Sequence, residues 1–229
     1  MGNVTQWSPF VPPSDRYDSR MRQLAPGVRQ LLGRPPHLMN VYLVEDVLVD
    51  SGTPGARRRV SRQLAGEQVS AHVVTHAHPD HFGSSHALCE EFGIPLWAGE
   101  KDVQAIETAT PATAPGRIPK LLSRMKMPEP HPVDRALKEG DDVAGFTVLD
   151  VPGHSPGHLA LWRESDGVLL CGDVFFHVGR LTGPPDFLTW DAELNRASMR
   201  RLAGLRPSLV LFGHGKPLRD PDRLERLTG

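Results

Sequence analysis

Four potential metal ligands lie within six positions of one short segment, which reads Thr-His-Ala-His-Pro-Asp-His over residues 75–81. Its pattern, His-x-His-x-Asp-His, puts three imidazoles and one carboxylate on a single loop. Packing does not account for this density, because histidines so close together would repel one another on protonation unless a cation lay between them. Imidazole and carboxylate together suit a borderline divalent ion such as zinc, iron or manganese. The segment therefore predicts a metal site that contains His76, His78, Asp80 and His81.

The residues that flank this loop predict the elements that position it. Residues 70–74 are apolar and β-branched, as is typical of a buried strand in a parallel sheet. Residues 82–88 then predict the start of a helix. Ligands on such a strand-to-helix turn lie at the carboxyl edge of the sheet, where open α/β sheets place their sites.

Three further potential ligands occur singly along the rest of the chain, each directly after a glycine at the end of an apolar strand. A glycine beside a ligand allows the backbone to turn sharply and to approach a metal closely. These residues are His154, Asp173 and His214.

The remaining pattern predicts one large α/β domain over residues 37–229, preceded by a proline-rich N-terminal extension over residues 1–36 that packs on it. Apolar runs and turn residues predict a hairpin at 39–50 and strands at 94–98, 146–151, 158–162, 168–171 and 208–212. Helices are predicted at 56–66, 84–92, 100–107 and 191–204.

Residues 108–132 differ from the rest of the chain because six prolines interrupt scattered Ile, Leu and Met side chains. A long proline-marked insert in a compact domain is usually functional or mobile. We predict that this segment is a lid or one wall of the substrate pocket. A plain linker is the alternative.

The composition restricts the class of partner. A net charge of −1 gives no general attraction to nucleic acid or to anionic membranes. The two cysteines, Cys89 and Cys171, are too few for a disulfide framework and are expected to be buried free thiols. No apolar run has the length of a signal peptide or a membrane span. We expect a small-molecule substrate and a reducing cytoplasm, and leave the oligomeric state open, with a homodimer as one candidate.

Assembled in order, five segments resemble the motif set of the metallo-β-lactamase superfamily, especially its glyoxalase II-like hydrolases. They are Asp50 after a strand, the loop at 75–81, and the glycine-ligand pairs at 153–154, 172–173 and 213–214. The resemblance covers the chain from about Asn40 to His214. It implies an α/β fold, the αβ/βα four-layer sandwich, in which two mixed sheets face each other, helices lie on the outer faces and metals lie at one edge.

The resemblance also implies a role for each ligand in a site with two divalent ions, zinc being expected and iron or manganese the alternatives. His76, His78 and His154 correspond to ligands of the first metal. Asp80, His81 and His214 correspond to ligands of the second metal, and Asp173 to the carboxylate that bridges both.

This ligand set agrees with the chemistry of a hydrolase. Three neutral imidazoles leave a fourth position open on the first metal, which is typical of a catalytic zinc site. A bridging carboxylate lowers the repulsion between two dications, and a water held between them would ionise near neutral pH and attack an electrophile. We predict that His76, His78 and Asp80 are catalytic.

Other histidines have supporting or unassigned roles. Asp50 is predicted to hydrogen-bond a ligand histidine, while His72 and His158 are expected to pack near the site or to orient its loops. Three further histidines show no ligand spacing: His37, His86 and His131.

The loop after Asp173 supplies the candidate substrate-binding residues, His177 and Arg180. An ordinary surface loop is the alternative interpretation of both.

Differences from individual groups of the superfamily narrow the substrate. True β-lactamases lack the bridging aspartate, so Asp173 argues against β-lactams, and RNA-processing members carry basic surface that the charge here does not suggest. Glyoxalase II proper adds a helical domain that binds glutathione; only fifteen residues follow His214, so we expect that domain to be absent. The tyrosine of the quorum-signal lactonases has no clear match, and Phe176 stands in that region. A small thioester, ester or lactone is the favoured substrate class.

Two other functions stay open. One is an oxidoreductase that resembles the persulfide dioxygenases, which share these motifs but use one iron held by two histidines and one aspartate. The other is a non-catalytic binding module on the same fold, which the intact ligand set disfavours.

Overall fold

A computed structural model describes residues 21–110 and 127–229, and its centre is a pair of β-sheets. The larger sheet has seven strands that lie side by side in chain order. They are β1 (Met21–Ala25), β2 (Val28–Leu31), β3 (Tyr42–Val44), β4 (Val47–Val49), β5 (Ala71–Val74), β6 (Leu96–Gly99) and β7 (Arg135–Leu137). β1 to β4 pair antiparallel, and β4 to β7 pair parallel, so the sheet is mixed.

The smaller sheet has five strands and is also mixed. They are β8 (Asp142–Val143), β9 (Phe146–Asp150), β10 (Leu159–Arg163), β11 (Val168–Leu170) and β12 (Leu209–Leu211). Their order across the sheet is β12-β11-β10-β9-β8. β11 and β12 pair parallel and the other pairs are antiparallel.

In the part of the chain that the structure describes, five α-helices accompany the sheets: α1 (Arg57–Leu64), α2 (Ser85–Phe92), α3 (Val103–Glu107), α4 (Ala192–Gly204) and α5 (Pro221–Thr228). Local sequence sets the ends of two of them. Gly93 ends α2 in the left-handed region, at φ 63°, where a glycine carries no steric penalty. The carboxylate of Asp191 begins α4 by accepting the backbone N–H groups of Glu193 and Leu194.

The sheets and helices form four layers, and buried apolar side chains pack between them. Between the sheets, residues such as Val49 and Val73 pack in one cluster with Val148 and Leu211. A second cluster joins the outer face of the larger sheet to α1 and α2, and a third joins the outer face of the smaller sheet to α4 and α5. Each fully buried Val or Leu contributes about 1.5–3 kcal/mol. The predicted four-layer sandwich, with two mixed sheets inside and helices outside, is confirmed.

The strand directions bring the motif loops to one edge of each sheet. β4 and β5 are parallel, so Asp50 and the loop at 75–81 follow neighbouring strand ends. In the smaller sheet, β9 and β11 are both antiparallel to β10, and β12 is parallel to β11. The carboxyl ends of β9, β11 and β12 therefore share an edge, and they lead to His154, Asp173 and His214.

The described residues include part of the predicted N-terminal extension and part of the predicted insert. Residues 21–31 of the predicted N-terminal extension form β1 and β2. Val28 and Leu31 are buried, and β2 pairs with β3, so this part of the extension belongs to the larger sheet. Residues 1–20 lie outside the described residues. So do residues 111–126 of the insert predicted at 108–132, and its role as a lid stays a prediction.

Within the described ranges, no helix has the length and hydropathy needed to cross a membrane.

Candidate metal centre

The loop after β5 and the turn after β9 bring three imidazoles together. The ligand atoms of His76, His78 and His154 all lie within 4.8 Å of one another. His76 Nε2 is 3.0 Å from His78 Nδ1. This separation is close to the edge of a tetrahedron around zinc, which is about 3.3 Å for Zn–N bonds of about 2.0–2.1 Å. The trio is the one that the sequence assigned to a first metal, and its role as a ligand set stays a prediction.

A second trio lies beside the first and is less buried. The ligand atoms of Asp80, His81 and His214 also lie within 4.8 Å of one another. His214 Nε2 is 3.4 Å from His81 Nε2 and 3.2 Å from Asp80 Oδ2. Because Asp80 and His214 are partly exposed while His81 is buried, this trio forms the outer part of the centre.

The carboxylate of Asp173 lies between the two trios. Its Oδ2 atom is 3.4 Å from His154 Nε2 and 3.9 Å from His76 Nε2 in the first trio. The same atom is 3.4 Å from His81 Nε2 and 3.1 Å from His214 Nε2 in the second trio. One oxygen therefore faces both groups, which is the placement that a bridging carboxylate requires.

Two glycines permit this close approach, as the glycine-ligand pattern predicted. Gly172 adopts φ 51°, in the left-handed region, and turns the backbone directly before Asp173. A Cβ atom on Gly213 would lie 2.1 Å from Asp173 Oδ1 and 2.6 Å from His81 Cε1. Any other residue at position 213 would therefore displace the Asp173 carboxylate or the His81 ring.

The inward-facing imidazoles are held by hydrogen bonds to their other ring nitrogen. Asp50 Oδ2 is 2.8 Å from His81 Nδ1, which is the contact predicted for Asp50. Asp50 adopts φ 59° and also accepts the Thr75 N–H at 2.8 Å, so it joins two loops. Thr75 Oγ1 lies 3.1 Å from His76 Nδ1, and the Leu38 carbonyl contacts His214 Nδ1. Histidines that bind metals are usually oriented in this way.

Asp102 is a supporting residue that the sequence analysis missed. It is fully buried just after β6, and its Oδ2 accepts the Ala77 N–H at 2.8 Å and the Ser155 hydroxyl at 2.6 Å. Its Oδ1 accepts the Gly157 N–H at 2.7 Å. Burial raises the pKa of Asp102, and these three donors oppose that change. The only available signal was an aspartate shortly after a strand that ends at the same edge.

The remaining two histidines of the region are buried supports. The Nε2 atom of His158 accepts the backbone N–H of Asp173 at 3.0 Å, and its ring stacks on His76 with centroids 4.6 Å apart. Burial lowers the pKa of His158 well below its usual range, so the ring is neutral. His72 contacts the Leu48 carbonyl at 3.0 Å and Ser85 Oγ at 2.8 Å, and burial lowers its pKa to about 4.

The electrostatics of the two trios differ. Burial and neighbouring imidazoles hold the pKa of His76 well below its usual range and lower the pKa of His78 to about 3, so both rings offer lone pairs. In the outer trio, burial alone would lower the pKa of His214, but Asp173 and Asp80 raise it to about 10. The pKa of His81 is raised in the same way, against burial, by three carboxylates. An electrostatic field that keeps protons bound to two imidazoles also favours a divalent cation in place of those protons.

Unsatisfied atoms at the centre fit a metal. Among the described residues, four buried side-chain atoms have no hydrogen-bond partner, and two of them are His154 Nε2 and Asp173 Oδ1. A buried polar atom without a partner costs about 1–3 kcal/mol. Both atoms belong to the predicted ligands and lie on or beside the carboxylate shared by the trios. The donor set, with five imidazoles and two carboxylates, therefore fits two divalent ions of the zinc class.

The loop after Asp173 places a different residue beside the centre than the sequence suggested. The Phe176 ring lies 4.8 Å from the His214 ring and 6.2 Å from the His154 ring, centroid to centroid. The His177 ring instead contacts the Lys216 carbonyl at 2.7 Å and packs near Phe212, and Arg180 is exposed. Substrate binding by His177 and Arg180 stays a prediction.

Comparison with known proteins places the chain among relatives that share most of its length. Residues 34–214 match the family described as the metallo-beta-lactamase superfamily. The probable metallo-hydrolase YflN of Bacillus subtilis is 28% identical, over 92% of this chain and 92% of its own length. The hydroxyacylglutathione hydrolase GloC of Haemophilus influenzae is 31% identical, over 62% of this chain and 67% of its own length. The crystal structure of TTHA1623 in a di-iron-bound form aligns with a TM-score of 0.67 and 33% identity, over 86% of this chain and 96% of that chain.

Proposed function

The chain belongs to the metallo-β-lactamase superfamily, and we propose that it is a binuclear metal-dependent hydrolase of a small thioester, ester or lactone. The observation that carries this proposal is the position of Asp173 Oδ2, which faces both ligand trios at once. A mononuclear site would use only some of the candidate ligands, whereas two ions would use both trios and the carboxylate between them. The di-iron form of a structural relative supports two ions per chain.

Two divalent ions would supply the hydrolytic chemistry when bound, by polarising the scissile carbonyl and by lowering the pKa of the attacking water. His76, His78 and His154 would hold the first ion and leave one position open to water or substrate. Asp80, His81 and His214 would hold the second, with Asp173 between them. We propose zinc as the native metal, with iron or manganese as the alternatives.

The protein's own groups would orient the reactants. Asp80 has 26% of its side chain exposed, more than Asp173, and so lies at the outer rim of the centre. Burial alone would raise the pKa of Asp80, but His81 and His214 lower it, so the group stays ionised and can accept a hydrogen bond from water. The neutral rings of His76 and His78 would keep the first ion in place during the reaction. Asp50 and Asp102 would hold the loops that carry these ligands.

The substrate class follows from the centre and its apolar neighbour. The Phe176 ring against His214 gives one side of the centre an apolar surface, which suits an acyl group. The name of the Haemophilus relative, hydroxyacylglutathione hydrolase, supports a thioester. Asp173 at the bridging position argues against β-lactams. A cytoplasmic location remains a prediction from the sequence.

A metal assay combined with a substrate panel tests the proposal. Protein purified without chelators should contain two divalent ions per chain by mass spectrometry of the metals. It should turn over members of a panel of thioesters, esters and lactones faster than a β-lactam. One iron per chain, together with oxygen consumption on a persulfide, would instead identify the oxidoreductase. A metal-free protein without turnover would identify a binding module.

A further inference from the structure

A second group of ligating side chains lies outside the buried centre, on helix α2. His86 and Glu90 are four residues apart on α2 and therefore share one face of the helix. His131 reaches the same place from the segment that precedes β7. The ligand atoms of these three residues all lie within 4.8 Å of one another. His86 and His131 show no ligand spacing in the sequence, and the fold brings them together although they are 45 positions apart.

The distance between the two imidazoles of this group, here called the α2 cluster (His86, Glu90 and His131), matches that of a metal site. The two ring nitrogens that face each other, His86 Nδ1 and His131 Nδ1, are 3.1 Å apart. The corresponding separation in the buried centre, between His76 and His78, is 3.0 Å. Both values are close to the tetrahedral edge of about 3.3 Å around zinc. The imidazoles of the α2 cluster therefore have nearly the same spacing as two imidazoles of the buried centre.

The outer contact of His86 favours the tautomer that a ligand needs. Its other ring nitrogen, Nε2, lies 3.5 Å from the Glu129 carboxylate. A proton on Nε2 is stabilised by this carboxylate, which leaves the Nδ1 lone pair directed at His131. Metal-binding histidines commonly present their second nitrogen to a carboxylate in this manner. Burial and the neighbouring His86 also lower the pKa of His131.

The α2 cluster is open to solvent, unlike the buried centre. His86 and His131 are partly exposed and Glu90 is exposed. A surface cavity of about 520 Å³ runs along α2 and is lined by His86, Glu90 and Glu129 among others. A hydrated cation can therefore reach the ligand atoms without opening the fold.

We propose that His86, Glu90 and His131 form a separate surface site for one divalent cation of the zinc class. Two imidazoles and one carboxylate are a ligand set that zinc accepts, and three protein ligands leave a tetrahedral ion one position for water. The bound ion would join α2 to the segment around His131. The site does not depend on hydrolysis at the buried centre.

Zinc titration of the full chain tests this site. The protein is first loaded with zinc and desalted, so that the tight centre is filled, and zinc chloride is then titrated into it by calorimetry. Wild-type protein should bind one further equivalent. His131→Gln and Glu90→Gln should each weaken that binding by at least about tenfold, since even an outer contact to a ligand changes metal affinity by about 10–100-fold.

Glu91→Gln is the matched control. Glu91 is the neighbour of Glu90 on α2 and lines the same cavity, but its carboxylate is paired with Arg57. Its replacement should leave the further equivalent intact. In addition, ¹⁵N spectra of the imidazoles should show the His86 and His131 ring nitrogens shifting as that equivalent binds.

Three results would overturn the proposal. They are no further equivalent in the wild type, zinc binding in both variants as tight as in the wild type, or a further equivalent that leaves both rings unshifted. Glu90 is exposed on the helix, so Glu90→Gln should fold even if His131→Gln does not. Near-UV circular dichroism checks this, and the spectra of the wild type report on the two rings in either case.

Discussion

The buried centre and the α2 cluster contain the same kinds of ligand at nearly the same spacing, but the protein surrounds them differently. In the buried centre, Asp50, Thr75 and Asp102 hold the ligand loops through hydrogen bonds between groups that solvent does not reach. At the α2 cluster, the outer support is Glu129, which has 64% of its side chain exposed. Ligand spacing alone therefore does not distinguish a strong site from a weak one.

Burial explains the difference that we expect in affinity. The carboxylate of Asp173 is buried between imidazoles, and a charge removed from water is costly unless another charge compensates it. A cation at the centre satisfies that need, whereas the exposed Glu90 is already stabilised by water. We therefore expect tight binding of two ions at the centre and weaker, exchangeable binding of one ion at the α2 cluster.

Replacement of the shared carboxylate should have the largest effect. Asp173→Asn should lose most of the second metal and lower kcat by about two to three orders of magnitude, because several kcal/mol of transition-state stabilisation depend on the metals. The physical reason is that a neutral amide bridges two dications poorly. Steady-state kinetics and metal analysis measure both effects. Two retained metals with near-normal turnover would rule out the bridging role.

His78→Ala should lower kcat by about a hundredfold and leave the fold intact. His78 lies on a loop at the sheet edge, outside the apolar clusters that pack between and around the sheets. Its loss should therefore remove a metal ligand and spare the core. Kinetics and near-UV circular dichroism check the two halves of this prediction. A molten spectrum would show instead that folding depends on the metal.

Asp102→Asn tests whether a buried support outside the ligand set matters. An amide offers one acceptor oxygen, so it would not satisfy all three donors and would leave buried groups unpaired. We expect the free energy of unfolding to fall by about 1–3 kcal/mol and metal affinity to fall by about 10–100-fold. Urea denaturation and competition with a chelator measure these quantities.

Asp134→Asn is the control for this change. Asp134 accepts the Leu96 N–H at 2.8 Å but is exposed, so water can replace the contact. A similar loss in both variants would show that Asp102 has no special relation to the centre.

Chemical labelling of the two cysteine thiols probes both regions, and we expect little reaction at either thiol in the native protein. Cys171 lies two residues before Asp173, and Cys89 lies on α2 between His86 and Glu90, yet both are buried. Burial raises the pKa of Cys89 to about 12 and raises the pKa of Cys171 further. At pH 8 neither thiol should react with a disulfide reagent in the native protein, and both should react in urea. Rapid labelling of Cys89 without denaturant would mean that α2 opens readily.

Much of the centre was predictable because its signals are local. Four candidate ligands lie on one loop, and each of the other three follows a glycine at the end of an apolar strand. Residue type and position were therefore enough to identify all seven candidate ligands. The αβ/βα sandwich followed from the resemblance that these motifs carry. Strands with continuous apolar runs were predicted to within a few residues. In contrast, β1, β2, β7 and β8 were missed, because polar or charged residues interrupt their short apolar patterns.

Features that depend on contacts between distant segments could be recognised only in the tertiary structure. Asp102 becomes important only because the turn at residues 155–157 and the loop at residues 75–81 both point N–H or O–H groups at it. His86 and His131 have no shared motif, since one lies on a helix and the other in an irregular segment, and only packing places their nitrogens 3.1 Å apart. Sequence patterns encode which side chains a local element presents, while the packing of the sheets and helices determines which of those side chains become neighbours.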